Sequence, residues 1–238
     1  MEYIILIIAS FLAAFVSGAA GFGGALLLLP VVTVYVGAEV AVPVLTIAQL
    51  IGNLSRMAFG FKEIKWKFVG LFCVGAIPLS ILGAFGFSIL PKDMVTRFIG
   101  AVLIGMVAIK TVKKIEFKGG TKTLIFGGCF VGLLSGLAGS AGPLGAAIFL
   151  SLGLPPVAYI ASEASTATVM HIVKTIVYGK LMNISLEAAF TGVLMGAAMI
   201  FGTFCANRII KKMSKDNFQK YVSVLLCIVG VYMIIFGA

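Results

Sequence analysis

The sequence predicts an all-α membrane protein of two inverted repeats, each made of a re-entrant (broken) helical hairpin and three transmembrane helices. The 238 residues are 61% hydrophobic and only 11% charged, whereas a soluble domain carries about 25% charged residues. A glycine-rich motif occurs twice, shifted by 118 residues from Ser17 to Ser135. The basic residues gather on one side of the membrane only if the second repeat is inverted.

The repeated motif interrupts a long apolar segment in each half of the chain. It reads SGAAGFGG at 17–24 and SGLAGSAG at 135–142. Glycine lets a backbone leave helical geometry because no Cβ is in the way. In hydrocarbon, such a backbone is tolerated only where protein buries it or where it lines a cavity. Matched interruptions in the two halves of a membrane protein therefore point to a transport site.

The lengths of the first broken segment, 3–36, favour a hairpin. Its arms, 3–17 and 25–36, contain fifteen and twelve residues, which reach roughly 22 and 18 Å as helix. A hydrocarbon core of about 30 Å requires about 20 residues. Neither arm spans alone and both in line would overshoot, so we expect a re-entrant hairpin whose tip lies in the membrane.

The remaining segments follow the same order in both halves. The first repeat, 1–114, continues with helices predicted at 40–61, 68–90 and 93–112, and a polar connector follows at 115–122. The second repeat, 123–238, has a broken segment at 123–152 and helices predicted at 156–178, 186–210 and 216–236. Pro143 follows the second glycine turn, and proline favours the first position of a helix. A half-helix is therefore expected to begin there.

The distribution of Lys and Arg decides between parallel and inverted repeats, because cytoplasmic loops collect these residues. Arg56 and Lys174 are set aside, since they lie within predicted helices. Eight plain spans would place nine basic residues on one side and seven on the other. Re-entrant first segments place thirteen against three, with Lys92, Arg97 and Lys180 outside. The thirteen inside are Lys62, Lys65, Lys67, Lys110, Lys113, Lys114, Lys118, Lys122, Arg208, Lys211, Lys212, Lys215 and Lys220.

The same composition argues against several other functions. The net charge of +10 follows from the loop residues that orient the chain, so no nucleic acid partner is expected. No intramembrane carboxylate pair, HExxH or GxxxxGK[ST] motif occurs, which argues against an enzyme and against transport powered by ATP on this chain. No metal or cofactor is expected, because the four cysteines are isolated in apolar runs. They are Cys73, Cys129, Cys205 and Cys227.

The chain resembles the sulfite exporter TauE/SafE family of transporters over all 238 residues. The resemblance lies in SGAAGFGG followed by an apolar run to Pro30, and in GLLSGLAG at 132–139. It implies a multi-pass protein of the plasma membrane that exports a small sulfur-containing oxyanion of the sulfite or sulfonate class. Coupling to an ion gradient, through protons or Na⁺, is implied as well. One departure is AGPLG at 141–145, where more consecutive glycines are expected.

Two pairs of polar residues occupy matching positions in the two repeats. The 118-residue shift places Asn53 on His171 and Arg56 on Lys174, three residues apart on one helix in each half. These side chains offer hydrogen-bond donors and positive charge to an anion. Because Arg56 and Lys174 are near helix ends, they could instead snorkel to the lipid headgroups. His171 could couple protons, since histidine titrates near neutral pH, or could make a structural hydrogen bond.

Other polar and small residues of the helices carry two interpretations each. Pore lining and helix–helix hydrogen bonding are both open for Gln49, Ser165, Thr166 and Thr168. Glu163 is expected to be a solvated residue at a helix end. Trp66 is interpreted as an interfacial anchor. Close helix packing rather than substrate binding is expected at Gly75, Gly196 and Gly202.

The hairpin geometry predicts where an anion binds. Half-helices that begin near Ala25 and Pro143 would start in mid-membrane with unpaired N–H groups and a partial positive charge. An oxyanion supplies the partner that those groups need. The predicted backbone ligands are Gly21, Phe22, Gly23, Gly24, Gly139, Ser140, Ala141 and Gly142. The glycines could instead only permit close helix crossing, and the alternative function on this scaffold is a passive anion channel.

Overall fold

Every regular element in the described part of this computed structural model is a helix. The structure describes residues 2–20, 24–86, 120–181, 184–210 and 212–236, and the single positions 94, 97, 101 and 104. The prediction of an all-α protein is therefore confirmed. Most of the helix predicted at 93–112, most of the connector, and Gly21, Phe22 and Gly23 lie outside the described residues.

The helices follow one plan in both halves. The first half contains α1 (Glu2–Ala20), α2 (Ala25–Val36), α3 (Ala38–Phe59), a 3-10 turn (Phe61–Glu63) and α4 (Trp66–Gly86). The second half contains α5 (Thr121–Ala138), α6 (Gly142–Leu150), α7 (Pro156–Leu181), α8 (Leu186–Ile210) and α9 (Lys215–Phe236). Helices α5 to α8 thus take the places of α1 to α4.

The first arm of the first broken segment is longer than the sequence predicted. Helix α1 has 19 residues, not fifteen, and reaches roughly 28 Å. It continues through Gly18, because this glycine lies against Thr203 and Ala206 of α8 rather than in the break. Helix α2 has 12 residues, and the second hairpin pairs 18 residues with 9. The long arms come close to spanning length, whereas the short arms do not.

Each break contains a glycine in the left-handed region of the backbone. Gly24, which precedes α2, has φ 71°, and Gly139, which ends α5, has φ 77°. Residues with a Cβ rarely adopt this conformation. In the first hairpin, α2 returns along α1, since Tyr3 near the start of α1 lines the same cavity as Tyr35 near the end of α2.

Helices α4 and α5 approach each other so closely that side chains have no room between them. Gly128 lies against Phe72 and Gly132 against Ala76. One turn further along both helices, Gly136 lies against Ser80 and Ala84, so the two helices run parallel. Small residues at four-residue spacing permit this approach in membrane helices. The packing role expected of Gly75 is confirmed by its contacts with Ile125 and Cys129.

Helices α1 and α8 pack in the same way, but here the glycine-broken segment belongs to the first half and its partner helix to the second. Gly202 lies against Phe11 and Ala14, and Gly18 lies against Ala206, so these helices are also parallel. The packing role expected of Gly202 is thereby confirmed. In both cases, the long hairpin arm of one repeat packs on a helix of the other repeat.

Helices α3 and α7 cross the centre of the molecule and run antiparallel to each other. Arg56 of α3 is paired with Glu163 of α7, and Gly60, just after α3, lies against Ala161 and Val157. Helix α3 is parallel to α8, because Gly192 lies against Val44 and Gly196 against Ile51; the contact of Gly196 confirms its packing role.

Three described helices are long and apolar enough to cross a membrane, namely Val40–Phe59, Trp66–Gly86 and Leu186–Ile210. Helix α7, predicted to be a span at 156–178, is not among them, although it has 26 residues. Its polar residues lower its mean hydropathy. Residues 158–168 are all buried, so this polar stretch is covered by the other helices.

Candidate functional site

The facing helices α3 and α7 bury an unusual number of polar and charged side chains. Each of the following is at most 6% exposed: Gln49, Asn53, Arg56, Glu163, Ser165, Thr166, Thr168, His171 and Lys174. We call this set the central polar cluster. Such groups are costly to bury without partners, so the partners of each one show what the cluster can do.

Arg56 is engaged by two side chains. Its Nη1 lies 3.4 Å from Oε2 of Glu163, in an ion pair whose side chains are each 2% exposed. Its Nη2 donates a hydrogen bond to Oδ1 of Asn53. The alternative in which Arg56 snorkels to the headgroups is excluded by its burial, and the expectation that Glu163 is a solvated end residue is wrong. Glu163 is buried because α3 supplies its countercharge.

The other carboxylate oxygen of Glu163 faces the start of α6. A Cβ built on Gly145 would lie 3.5 Å from Oε1 of Glu163. The first turn of a helix carries partial positive charge, so the carboxylate lies where the sequence placed a substrate anion. The N–H of Gly142 points to Oγ of Ser140 at 3.4 Å. The partial positive charge and one N–H group in the first turn of α6 therefore already face groups of the protein itself.

Lys174 is fully buried, at 0% exposed, and its partners are neutral. Its Nζ donates to Oγ of Ser135 at 2.9 Å and to the carbonyl oxygen of Gly139 at 2.7 Å. Tyr178, one turn later, donates to the carbonyl oxygen of Gly136. These bonds satisfy carbonyls that the end of α5 leaves open. Snorkelling is excluded for Lys174 as well.

Gly18 and Gly139, one in each copy of the motif, lie near opposite ends of α3. Gly139 lies against Val42, which is in the second turn of α3. Gly18, near the end of α1, lines a cleft together with Arg56, which is near the end of α3. Val42 and Arg56 are fourteen residues apart on α3, roughly 21 Å along its axis. The expected site between the two glycine tips stays a prediction, because Gly21, Phe22 and Gly23 lie outside the described residues.

Two side-chain atoms of α7, on residues between Glu163 and Lys174, lack hydrogen-bond partners. Three buried side-chain atoms in the described part of the chain have none, and two of them are Nδ1 of His171 and Oγ1 of Thr168. His171 is close enough to Arg56 and Lys174 to interact electrostatically with both. A buried polar atom without a partner calls for an explanation such as a missing ligand.

Of the other polar residues named from the sequence, Thr166 and Ser165 bond within their own helix, and Gln49 contacts another helix. Thr166 donates to the carbonyl oxygen of Glu163 and Ser165 to that of Ala161, each at 2.7 Å. Both bonds lie within α7, so neither hydroxyl makes the expected hydrogen bond between helices. Gln49 lies with Nε2 3.9 Å from Sδ of Met199.

A cavity leads from one end of the protein towards the cluster. It has a volume of about 640 Å³ and is lined by the α3–α4 connection, including Lys62, and by the start of α7. A narrower cleft shares Phe59, Gly60, Val157 and Ile210 with it and extends to Gly18 and Arg56. A separate cavity of about 250 Å³, lined by Glu2 and Glu187, lies at the opposite end.

Sequence reasoning left two of these residues out of the site. Ser135 belongs to the repeated motif, so its position was a signal. Glu163 is the one acidic residue that lies more than one turn inside a predicted helix, and intramembrane ionisable residues are functional candidates by default. An acidic residue within an apolar segment was therefore a signal in the sequence itself.

A family model described as sulfite exporter TauE/SafE matches residues 6–233. The match includes both hairpins, α3, α7 and all the residues of the central polar cluster. No curated protein and no solved structure matches the chain.

Proposed function

Because the chain belongs to the sulfite exporter TauE/SafE family, a family of membrane transporters, we propose that it is a secondary transporter of a small sulfur-containing oxyanion. The substrate is of the sulfite or sulfonate class, and the chain exports it across the plasma membrane in a step coupled to an ion gradient. The partners are thus the anion, the lipid bilayer and a coupling ion.

The observation that carries this proposal is the charge of the central polar cluster. With Arg56 and Lys174 protonated and Glu163 ionised, the cluster holds two positive charges and one negative charge. The surplus positive charge is buried, where an uncompensated charge is expensive. An oxyanion offers the missing negative charge and also several acceptor oxygens, to one of which Nδ1 of His171, when protonated, can donate a hydrogen bond.

We place the anion beside His171, along α7 between Arg56 and Lys174. Asn53, Gln49 and Thr166 lie along the same pair of helices and remain candidates for its surroundings. The second glycine break, 139–142, then contributes by holding Lys174 through the carbonyl oxygen of Gly139. The backbone groups predicted as ligands at 140–142 then support the site, and those at 21–24 stay a prediction.

The helix directions support inverted repeats. Helices α1 and α3 run in the direction of α8, and α7 runs against α3. Helix α5 runs in the direction of α4, and the short connection 60–65 turns α4 back against α3. Corresponding helices of the two halves are therefore antiparallel in the α1/α5 and α3/α7 pairs. The exposed basic residues near the 640 Å³ cavity mark this end as cytoplasmic; they include Lys62, Lys65, Lys67 and Lys212. An exporter loads its substrate from that side.

The passive channel is the alternative, and the cavities argue against it. A channel needs a continuous pore, but the cavities at the two ends share no lining residue among those described. The stretch between them contains the buried Lys174, packed against α5. Alternating access fits this closed arrangement better.

Transport by purified protein in liposomes tests the function. Sulfite, sulfate and methanesulfonate are offered one at a time, with and without an imposed pH or Na⁺ gradient. We expect saturable transport of at least one anion, accelerated by one of the gradients. His171→Ala should weaken anion binding, whereas Ser165→Ala, whose hydroxyl bonds within its own helix, should not. Transport that neither saturates nor responds to any gradient would identify a channel.

A further inference from the structure

The acid in the central polar cluster has no counterpart in the other repeat. The 118-residue shift pairs Arg56 with Lys174 and Asn53 with His171, but it pairs Glu163 with Leu45. Accordingly, Arg56 has a carboxylate partner, whereas Lys174 is bonded to a hydroxyl and a carbonyl oxygen. The basic residues at positions 56 and 174 repeat between the two halves, whereas the acid at position 163 does not.

Glu163 occupies the place on Arg56 that an incoming anion would take. The guanidinium is shared between the carboxylate and Asn53, and the cleft from the 640 Å³ cavity ends at this same side chain. If an anion binds Arg56 while Glu163 stays ionised, two negative charges compete for one cation in a buried site. A proton on Glu163 removes the conflict, since like charges in close contact favour protonation of one of them.

We propose that Glu163 is the proton-binding site of this transporter. Without substrate the ionised carboxylate pairs with Arg56; when the anion takes over Arg56, Glu163 takes one proton from water in the cavity. The inference rests on the proposed function and names its coupling ion. A monoanion that enters with one proton leaves the charge of the cluster unchanged. The pair therefore moves without net charge, and export proceeds when the outward anion gradient exceeds the inward proton gradient.

In the described part of the cluster, Glu163 is the carboxylate that can bind this proton. Arg56 from α3 and Tyr159, one turn away on α7, interact with it electrostatically. Helix α6 presents Gly145, and α4 brings the thiol of Cys73 into the cluster around Ala161. The remaining charged groups nearby are Lys62 and Glu63 at the cavity, and His171 and Lys174 further along α7.

A route for the proton is present on the cytoplasmic side. The cleft that continues from the cavity is lined by Ile160 as well as Arg56. Ile160 is one turn before Glu163 on the same helix. The carboxylate is therefore one helical turn from a cleft that connects with the end of the protein, although it is itself only 2% exposed.

Proton movement in liposomes tests the proposal, with methanesulfonate as the probe because this anion does not titrate near neutral pH. The full-length protein is reconstituted with a pH-sensitive dye inside, and the membrane potential is clamped. We expect an outward anion gradient to move about one proton per anion, and the rate of transport to be insensitive to the potential. Glu163→Gln should abolish proton movement and make the remaining anion transport sensitive to the potential.

Controls separate this inference from the transport function. Glu187→Gln, in an exposed carboxylate at the opposite end, should leave the coupling intact. Glu163→Asp keeps a carboxylate and should keep proton movement, so it replaces Glu163→Gln if that variant does not fold. Anion transport without protons in the unmodified protein would overturn the proposal but not the transport function. Unchanged proton coupling in Glu163→Gln would do the same. No transport of methanesulfonate, sulfite or sulfate would refute both.

Discussion

Lys174 donates a hydrogen bond of 2.7 Å to the carbonyl oxygen of Gly139, the residue at which the second broken segment leaves its helix. The buried cation and the glycine break are thereby one structural unit. The positive charge lies at the carboxyl end of α5, where the helix dipole favours it. A substitution at Gly139 is therefore expected to displace the amino group of Lys174. Loss of Lys174 is expected to destabilise the backbone at Gly139.

Replacing Lys174 by Gln should reduce both stability and anion affinity. The hydroxyl of Ser135 and the carbonyl of Gly139 lose a charged donor, which costs about 1–3 kcal/mol for buried groups. Thermal unfolding in detergent and binding of sulfite measure the two effects. Lys180→Gln is the control, because Lys180 is exposed on the same helix. Full affinity in Lys174→Gln would show that this lysine serves only the fold.

Replacing Arg56 alone should lower the stability of the protein more than replacing both members of the ion pair. Arg56→Gln leaves the carboxylate of Glu163 buried without its countercharge, which costs about 3–5 kcal/mol. In Arg56→Gln/Glu163→Gln no buried charge is stranded, so most of that stability should return. Unfolding temperatures of the two single variants and the double variant give the coupling. Additive losses would mean that the two side chains act independently.

The two glycines around the second break should respond very differently to alanine. At Gly139, φ is 77°, and a Cβ would lie 2.6 Å from Cγ1 of Val42. Gly139→Ala should therefore lose about 1–2 kcal/mol from backbone strain alone, and transport with it. At Gly145, the nearest atom to a Cβ is 3.5 Å away, so Gly145→Ala should fold normally. Equal behaviour of the two variants in thermal unfolding would contradict this account of the break.

Packing between α4 and α5 should fail when a side chain is added. Gly132→Ala places a methyl group against the backbone of Ala76, and we expect a loss of about 1–3 kcal/mol, as in other overpacked cores. Gly70→Ala is the matched control, since nothing lies within 4 Å of a Cβ at that position of α4. The yield of monodisperse protein and its unfolding temperature are the measurements. A well-folded Gly132→Ala would mean that the helices separate easily.

Labelling of introduced cysteines should reveal the inverted topology. In a background without the four native cysteines, residues placed at Lys122 and Lys212 should both be shielded from an impermeant reagent outside the cell. A cysteine at Lys180 should react, because α7 ends on the other side. Lys118, which lies outside the described residues, should behave like Lys122. Opposite labelling of Lys122 and Lys212 would require parallel repeats.

The sequence predicted the helical architecture and the helices that carry the site, because both follow from local patterns. Apolar length predicts membrane helices, and the repeated motif located both breaks. The polar residues of α3 and α7 stood out in apolar surroundings, and the structure brings Asn53 and Arg56 into contact.

What the sequence did not predict depends on contacts between distant parts of the chain. Gly18 and Gly24 look alike in the motif, but only α8, far along the sequence, keeps Gly18 within a helix. Glu163 was interpreted as solvated because its partner is on another repeat, 107 residues away. The positions of the breaks relative to α3 likewise depend on tertiary packing.

The exchange of partners between repeats has a consequence for biosynthesis. The glycine-lined face of α5 packs on α4 and that of α8 on α1, so neither half buries its closest contacts within itself. When the ribosome has completed α4, the surface that will meet α5 still faces lipid. The amino-terminal half must therefore wait in the bilayer until the carboxyl-terminal half has been inserted. Each half expressed alone should be a substrate for membrane quality control, and coexpression should rescue both.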